Sequence, residues 1–527
     1  MISTVFRRSS LNLVKLGLRN CLRTTSFSIN FERHKHFGAT SLNRGQHRGR
    51  KKQEFQEIGK KSTNSEENED QEETENIIET LNDLEYESLA SNALHVSNRQ
   101  IEQQVLVVQP YIKWGPRKSQ TKPEHKLAEA EALVRSIPQW SVAESVKIGL
   151  ESMDKREVFG PGQLKELKAI VRNSRNSDKK ISAVFVSKGM LTRQQKTSLE
   201  GKFGVPVLDR YSVVIQILRL HAISAESKLQ VAMAEIPYIW SQMRDSPDAF
   251  TKGQFIYTDA QKEMLKQRER RIKDELTRIR SQRNLLRRKR LNKNFPIIAV
   301  VGYTNAGKTS LIKTLTNESS MQPKDQLFAT LDVTSHAGLL PCKLNVIFMD
   351  TVGFMSDIPT ELIECFVATL EDAILADVIL HVQDIAHENY EQQKKHVETT
   401  LHQLLRQISD NPEGIKLPPI INVGNKVDLF TGDLQQFEDM AIVSSKTQVG
   451  ISDLLKTLEN AVLMTTERRK MIIKVRCGGE EYAWLYKNTA VTEATADPKS
   501  AEHILMHVVI SEPALQQFKH KFINGPK

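Results

Sequence analysis

Apolar and polar positions alternate at two different periods between residues 104 and 209. Four short apolar runs predict strands, and the amphipathic stretches between them predict helices. The expected strands are Val105–Val108, Val142–Ile148, Ile181–Val186 and Val205–Leu208, and the expected helices are Pro123–Ser136, Gln163–Arg172 and Thr192–Phe203. Because strands that alternate with helices are typical of parallel sheets, we expect a small parallel α/β domain at 104–209.

Two longer stretches of helical periodicity follow, Tyr211–Asp245 and Asp259–Leu291. In the second stretch an apolar residue recurs every seven positions, which places these side chains along one seam of a helix. The seam residues are Leu265, Ile272, Ile279 and Leu286, with Leu276 beside them. A seam that can pack on the preceding helix predicts a helical hairpin, which we assign to residues 210–293.

Positive charge is concentrated on the second helix of this hairpin. Residues 266–293 contain thirteen Lys or Arg and three Asp or Glu, which equals the excess of ten in the whole chain. A solvated helix face is the ordinary interpretation of charged residues, but opposite charges do not balance here. We therefore favour contact with the phosphate backbone of a nucleic acid.

The first 103 residues divide into a basic and an acidic part. Residues 1–52 contain twelve Lys or Arg and one acid, with many Ser, Thr and Asn and with apolar residues on one helical face. This composition is typical of an organelle transit peptide and predicts the mitochondrial matrix. A basic RNA-binding tail on a cytoplasmic protein is the alternative. Residues 53–103 carry an acidic run that predicts a disordered linker.

Composition excludes two classes of protein. The four cysteines are scattered without a Cys-x-x-Cys pair, which excludes a disulfide scaffold and a cysteine-based zinc site. The longest apolar run, Ile297–Val301, is far shorter than the roughly 18 residues that span a bilayer, so we expect no membrane span.

The first chemical motif begins where the apolar strand Pro296–Val301 ends. Gly302-Tyr-Thr-Asn-Ala-Gly-Lys308-Thr309 matches the phosphate-binding loop G-x-x-x-x-G-K-[ST], and a helical segment follows it. The glycines allow backbone N–H groups to wrap phosphates, and the helix N-terminus adds the positive end of a dipole. We expect Lys308 to reach the β- and γ-phosphates and Thr309 to bind Mg²⁺.

Three further motifs follow in order, each after an apolar strand. Asp350-Thr-Val-Gly353 is a D-x-x-G sequence, in which Asp350 would hold the magnesium shell through water and the Gly353 N–H would contact the γ-phosphate. Asn425-Lys-Val-Asp428 is an N-K-x-D sequence. Its aspartate can accept hydrogen bonds from N1 and N2 of guanine, a pair of donors that adenine lacks. With Ser444-Ser-Lys446 as a last base-contacting loop, these motifs predict a GTP-binding domain at 294–467.

A threonine that closes over the γ-phosphate and Mg²⁺ is expected between the first two motifs. Thr330 and Thr334 are the candidates, and we prefer Thr330 because of the family resemblance described next. Phe354 occupies the position at which Ras-like enzymes place the glutamine that orients the attacking water. Because an apolar ring cannot orient water, we expect slow intrinsic hydrolysis that a partner or repositioned backbone stimulates.

Together the motifs resemble the HflX family of translational GTPases. The resemblance lies in Gly302–Thr309, Phe328-Ala-Thr-Leu-Asp332 and Asp350–Phe354, and it covers residues 104–515 through shorter segments. These segments are Phe159–Gln163, Val207–Arg210, Lys228–Val231 and Tyr482–Tyr486. With its transit-like start, the chain most resembles the animal mitochondrial branch of this family.

The resemblance implies a ribosomal function. Members of the family bind the large ribosomal subunit and its rRNA, split ribosomes into subunits and have been tied to ribosome rescue, recycling and assembly. By the same resemblance the hairpin enters the ribosome near the peptidyl transferase centre. One departure is Gly253-Gln-Phe-Ile-Tyr-Thr258, where the family usually has Gly-Pro-Gly-Glu at the hairpin tip. The second open function class is an RNA-binding scaffold that uses GTP as a structural ligand.

The predicted fold is therefore a multidomain α/β protein. It consists of a small parallel α/β domain, the helical hairpin, a P-loop GTPase domain with a doubly wound, mostly parallel sheet, and a small α/β domain at 468–527. We expect a monomer that uses GTP and Mg²⁺, with Lys308, Thr330 and Gly353 acting in hydrolysis and with Thr309 and Thr330 as metal ligands. Nucleotide contacts are predicted from Gly302, Tyr303, Thr304, Asn305, Ala306, Gly307, Lys308, Thr309, Phe328, Ala329, Thr330, Leu331, Asp332, Asp350, Thr351, Val352, Gly353, Asn425, Lys426, Val427, Asp428, Ser444, Ser445 and Lys446.

Overall fold

A computed structural model describes residues 84–94, 102–115, 121–174, 180–243, 259–292, 295–318, 321, 323, 327–328, 330–356, 371, 373–408, 418–498, 500 and 502–523, with the backbone alone for 84, 283–292, 405 and 407–408. The predicted transit segment at 1–52, the hairpin tip Gly253–Thr258 and the predicted contact residue Ala329 lie outside these residues.

The first sheet is parallel throughout, with the strand order β2-β1-β3-β4. Its strands are β1 (Gln103–Ile112), β2 (Trp140–Leu150), β3 (Ala183–Val186) and β4 (Val207–Asp209). The helices between them are α2 (Pro123–Arg135), α3 (Pro161–Asn173) and α4 (Arg193–Phe203). Val105–Val108 of β1 are fully buried, as expected for a strand that is covered on both faces. The predicted small parallel α/β fold is confirmed.

A helix precedes this sheet in the segment that we had assigned to the acidic linker. Helix α1 (Leu84–Leu94) buries Tyr86 and Leu94 almost completely. The Tyr86 hydroxyl donates to Glu235 at 2.5 Å, and the buried Lys196 ammonium donates to the carbonyl of Ala93 at 2.7 Å. The prediction of a disordered linker up to residue 103 is therefore wrong for α1, because its apolar side chains find their partners on distant helices.

The described residues of the hairpin region form three helices rather than two. They are α5 (Arg210–His221), α6 (Ala225–Met243) and α7 (Asp259–Asn292). The first predicted helix is interrupted at residues 222–224, where Ala222 has an extended backbone with ψ of 104°. Pro237 lies inside α6 without ending it. The single long helix predicted from Tyr211 is thus wrong, whereas the second predicted helix is confirmed as α7.

Helix α7 packs on α6 through the predicted seam. Leu265 and Ile272 are fully buried, and Leu276 and Ile279 pack against the apolar cluster that α6 and α7 share. Part of its positive charge is already engaged. Arg268 stacks on the Tyr86 ring at 3.6 Å, and Arg280 forms an ion pair with Glu371 of the next domain. Nearer solvent, Lys273 and Arg278 pair with acids on their own helix.

The second sheet has the order β10-β9-β8-β5-β7-β6 and is parallel except for β6. Its strands are β5 (Ile297–Gly302), β6 (Thr334–Leu339), β7 (Asn345–Asp350), β8 (Val378–Asp384), β9 (Ile420–Asn425) and β10 (Ala441–Ile442). The helices are α8 (Lys308–Thr316), α9 (Tyr390–Ile408) and α10 (Ile451–Thr465). Apolar clusters on both faces of the sheet confirm the predicted doubly wound architecture.

A third, antiparallel sheet completes the fold with the order β11-β13-β12. It contains β11 (Arg468–Arg476), β12 (Ala490–Ala496) and β13 (His503–Ser511), covered by α11 (Glu480–Asn488) and α12 (Glu512–Phe522). Within the described residues, no helix combines the length and the apolar character that a membrane crossing requires.

Candidate nucleotide-binding site

The phosphate-binding loop leaves the carboxyl end of β5, the buried strand near the middle of the second sheet. Gly307 has a φ of +90°, and a Cβ atom there would lie 2.4 Å from the side-chain nitrogen of Asn425. That nitrogen donates to the carbonyl of Ala306 at 3.0 Å, so the loop is fastened to the N-K-x-D segment. Only glycine meets both requirements at this position, which explains the second glycine of the motif.

Lys308 begins α8 and is buried under the loop. Its ammonium donates to the carbonyls of Gly302 and Tyr303 at 3.3 and 3.0 Å. Burial lowers the pKa of Lys308 to about 8, and the nearby Asp350 carboxylate partly opposes this shift. The positive group therefore lies in a desolvated position, where a phosphate group would interact strongly with it.

Two hydroxyls and one carboxylate converge beside Lys308. Thr309 donates to Asp350 at 2.6 Å, Thr330 donates to the same oxygen at 3.2 Å, and the two threonine oxygens are 3.1 Å apart. The other Asp350 oxygen is buried and makes no hydrogen bond to any described residue. These are hard oxygen donors of the kind that Mg²⁺ prefers, so the residues fit the ion. By contrast, the Thr334 hydroxyl lies 2.8 Å from the ring of His336.

The opposite end of the site carries the groups expected to bind guanine. The Asn425 side-chain oxygen accepts from the N–H and hydroxyl of Ser445 at 3.1 and 3.0 Å, and Asp428 accepts from Ser444 at 2.6 Å. Asn425, Asp428, Ser445 and Lys446 line a cavity of about 700 Å³, a volume typical of nucleotide-sized ligands.

One residue at this end was missed by sequence reasoning. Asp384, at the end of β8, forms an ion pair with Lys426 at 2.7 Å. Lys426 has a φ of +65°, so this ion pair fixes a lysine whose backbone is in the left-handed region. The position of Asp384 at a strand terminus is the only signal in the sequence that could have indicated it.

Phe354 turns away from the phosphates. Its ring is buried among the apolar residues between the sheet and α9, including Val301 and Leu401. Its backbone forms a bridge to the phosphate-binding loop, with Thr304 N–H donating to the Phe354 carbonyl at 2.7 Å and Phe354 N–H donating to Gly302 at 3.1 Å. The ring that replaces glutamine therefore belongs to the core.

Several predicted contact residues direct their side chains elsewhere. Phe328, Leu331 and Val352 are buried in the apolar cluster shared with the N-terminal helices, and the Thr351 hydroxyl donates to Val300. Asp332 accepts from the N–H groups of Ile223 and Ser224, both at 3.2 Å, and from the Ser224 hydroxyl. Contacts of these residues with a nucleotide would therefore have to come from their backbone.

A buried polar network also joins the site to the N-terminal domain. Tyr303 donates to Glu129 at 2.9 Å and accepts from the Ser356 N–H at 2.8 Å, and Arg210 donates to Glu129 and to the Ser356 carbonyl. Sequence reasoning missed Glu129, Arg210 and Ser356 as partners of Tyr303. Of the three, Arg210 alone lies in a segment of the family resemblance.

The geometry places the phosphate-binding loop, a cluster of oxygen donors that fits Mg²⁺ and the carboxylate expected to bind guanine along one edge of a doubly wound sheet. Guanine offers this carboxylate two hydrogen-bond donors, at N1 and N2, and adenine lacks that pair. The arrangement therefore defines a P-loop GTP-binding protein.

Comparison with known proteins specifies the class further. Residues 297–424 match the family model described as 50S ribosome-binding GTPase, and residues 124–218 match the model described as GTP-binding GTPase N-terminal. GTP-binding protein 6 of Xenopus laevis is 37% identical over 459 residues, which cover 85% of this chain and 84% of that protein. GTPase HflX of Caldanaerobacter subterraneus subsp. tengcongensis is 31% identical over 66% of this chain and 80% of its own length.

Among solved structures, a GTP-binding protein from Sulfolobus solfataricus in complex with GDP is 22% identical, with a TM-score of 0.39 over 69% of this chain and 99% of that chain. The chain belongs to the HflX family of GTP-binding proteins. Hydrolysis of GTP is the general activity of this class of P-loop protein.

Proposed function

We propose that this protein is a ribosome-associated GTPase that binds the large ribosomal subunit and its rRNA and splits, recycles or helps to assemble ribosomes. The observation that carries the proposal is a basic helix, α7, joined by the Arg280–Glu371 ion pair to a GTP-binding domain of the HflX family. Of the thirteen cations at 266–293, Arg268 and Arg280 are engaged within the protein, and Lys273 and Arg278 pair with acids of α7. We assign the others to RNA phosphates.

Each of the predicted site residues would contact a different part of the nucleotide. Lys308 would neutralise the β- and γ-phosphates, and Asp428 would select guanine. Thr309 and Thr330 would bind Mg²⁺, with Asp350 holding its water shell. The metal would supply positive charge to the phosphates. The Gly353 N–H would contact the γ-phosphate. Glycine is required at this position because a Cβ atom there would lie only 2.9 Å from Thr304 Cα.

Two contacts between the GTP-binding domain and the hairpin helices support a link between GTP and ribosome binding. Asp332, two residues after Thr330, binds the backbone that begins α6. Glu371, which follows the D-x-x-G segment in sequence, forms an ion pair with Arg280 on α7. Bound GTP would order these segments and thereby hold both hairpin helices in the form that docks on RNA.

Intrinsic hydrolysis would be slow, because Phe354 offers no polar group to the attacking water. The same residue supports the alternative of an RNA-binding scaffold that uses GTP as a structural ligand. Ribosome-stimulated turnover separates the two functions: it is expected for the GTPase and absent for the scaffold.

The proposed location is the mitochondrial matrix, with the cytoplasm as the alternative, and the proposed state is a monomer. Residues 1–52 fused to a fluorescent reporter should enter mitochondria. Replacing Arg7, Arg8, Arg19 and Arg23 by Glu should abolish import, because transit peptides depend on positive charge. A cytosolic signal from the unchanged fusion would favour the RNA-binding tail.

The deciding experiment is sedimentation of mitochondrial ribosomes with the protein and GTP, GDP or a non-hydrolysable GTP analogue. We expect separated subunits with GTP and with the analogue. If four to six cations reach phosphates, the slope of log K against log salt should be roughly −3 to −4, at about −0.7 per contact. Intact ribosomes with every nucleotide, together with a flat salt dependence, would refute the proposal.

Two charge-reversal variants make this test specific. The hairpin variant replaces Arg287, Arg288, Lys289 and Arg290 by Glu, and the matched control makes the same change at the exposed Arg469, Arg476, Lys487 and Lys521. The hairpin variant should bind the large subunit weakly and flatten the salt slope, while the control retains both properties. GTP affinity should be unchanged in both variants, since neither set belongs to the nucleotide site.

A further inference from the structure

The attacking water of GTP hydrolysis needs a polar partner that Phe354 cannot provide. The Phe354 ring lies in the core, and both its N–H and its carbonyl are bonded to the phosphate-binding loop. A water orienter among the described residues must therefore come from another segment that faces the phosphate end of the site.

Thr304, the third residue of the phosphate-binding loop, has the required properties. Its side chain is only 6% exposed, and its hydroxyl makes no hydrogen bond to any described residue. A buried hydroxyl without a partner is uncommon in proteins, because its desolvation is not compensated. Such a group is explained when a ligand or a water molecule completes its hydrogen bonds during function.

The position of Thr304 matches the γ-phosphate end of the site. A Cβ atom built on Gly353 would lie 2.8 Å from Thr304 Cγ2 and 3.0 Å from the Lys308 ammonium, so the three residues converge. Gly353 and Lys308 are the two groups expected to contact the γ-phosphate. Thr304 therefore borders the point at which a nucleophile would approach that phosphate.

Thr304 also forms part of the wall of two cavities. The smaller, of about 50 Å³, contains Lys308, Thr309, Thr330 and Gly353 in its lining. The larger, of about 240 Å³, lies between the loop and the N-terminal domain and is lined by polar side chains that include His125, Glu129 and Gln392. Its size and polar lining suit several water molecules, and Thr304 separates this water from the phosphate position.

We propose that Thr304 is a catalytic residue whose hydroxyl binds and orients the attacking water, which the cavity beside the N-terminal domain supplies. The water oxygen forms a bond to the γ-phosphorus while the bond from that phosphorus to the β–γ bridging oxygen breaks. The electron pair of the broken bond stays on the bridging oxygen of GDP, and the water proton passes to the released phosphate. Thr304 keeps its own proton and acts by position.

A set of substitutions separates the hydroxyl from the shape of the side chain. Thr304→Val replaces the hydroxyl by a methyl group of similar size, whereas Thr304→Ser retains the hydroxyl. Thr316→Val is the matched control, since this hydroxyl at the end of α8 donates only to the carbonyl of Ile312 among the described residues. All three variants should bind GDP within about twofold of the wild-type affinity.

The assay is single-turnover GTP hydrolysis without ribosomes, so its result does not depend on the proposed ribosomal function. Thr304→Val should slow hydrolysis about tenfold, the loss expected for one hydrogen bond in the transition state, while Thr304→Ser should recover most of that loss and Thr316→Val should stay near the wild-type rate. Affinity for GDP with aluminium fluoride, which resembles the transition state, should fall by a similar factor in Thr304→Val alone.

Four outcomes would overturn the inference. In the first, Thr304→Val hydrolyses GTP at the wild-type rate. In the second, Thr304→Ser is as slow as Thr304→Val, which assigns the residue a packing role. In the third, the wild-type protein hydrolyses no GTP, and its affinity for GDP with aluminium fluoride equals that of Thr304→Val. A loss of GDP affinity in Thr304→Val would equally contradict it, because the proposed contact exists only with the attacking water.

Discussion

The hydrogen bonds between Asp332 and the start of α6 predict a measurable loss of local stability when Asp332 is replaced. One carboxylate oxygen accepts from the N–H groups of Ile223 and Ser224 at 3.2 Å, and the other accepts from the Ser224 hydroxyl. A residue more than 100 positions away thus holds Ser224, whose own hydroxyl caps α6 by accepting from the Ser227 N–H at 3.0 Å. Replacing Asp332 by Ala removes every one of its bonds to Ile223 and Ser224.

The expected cost follows from the geometry. Weakening of a helix cap costs up to about 1 kcal/mol, and loss of a negative charge at a helix N-terminus adds roughly 0.3–1 kcal/mol. The two contributions together give about 1.5–2 kcal/mol for Asp332→Ala. Asp332→Asn keeps one acceptor oxygen but loses the charge, so about 1 kcal/mol is expected.

Hydrogen exchange followed by mass spectrometry measures this local free energy directly. In peptides that contain residues 222–228, Asp332→Ala should accelerate exchange by about 10- to 30-fold, since 1.4 kcal/mol corresponds to a factor of ten. The matched control is Asp433→Ala, because Asp433 likewise accepts a hydrogen bond at the start of a short helix, from the Gln435 N–H at 3.0 Å, but lies between β9 and β10 of the GTP-binding domain. Equal exchange in the wild type and the Asp332→Ala variant would refute the role of Asp332 at this helix start.

The remaining predictions concern the site and its pH dependence. Asp428→Asn should weaken GTP binding by about 1–3 kcal/mol in calorimetry, because an amide mismatches the guanine donors and the Ser444 hydroxyl, and an unchanged affinity would contradict the guanine assignment. Thr330→Ala should lower ribosome-stimulated turnover while Thr334→Ala retains it, and the reverse result would exchange their roles. Burial lowers the pKa of His381 to about 4, so unfolding experiments should show up to about 3 kcal/mol of stability lost as pH falls from 6.5 to 4, a dependence that His381→Gln should remove.

The nucleotide-binding motifs were predictable because each is a local backbone requirement. Gly307 must adopt a positive φ beside Asn425, and no other residue type fits there. Thr330 could be preferred over Thr334 only through the family resemblance, because both are threonines in the same segment. The side chains are consistent with that preference, since the Thr330 hydroxyl donates to the Asp350 carboxylate whereas the Thr334 hydroxyl lies beside the His336 ring.

What the sequence could not indicate depends on contacts between distant segments. The break at residues 222–224 contains neither glycine nor proline, and it is stabilised by Asp332 from another domain. Pro237 gives the strongest local signal for a helix end, yet the backbone passes through it as helix. In both cases tertiary contacts outweigh local propensity.

Helix α1 limits where the proposed amino-terminal transit segment could be cleaved. Tyr86 is 1% exposed and lies between Glu235 of α6 and Arg268 of α7, and Leu94 is fully buried. A processing protease that cut beyond Leu84 would remove part of the folded core and leave Glu235 and Arg268 without their aromatic neighbour. If the proposed transit segment is removed, the cut must therefore leave α1 in place and lie upstream of residue 84.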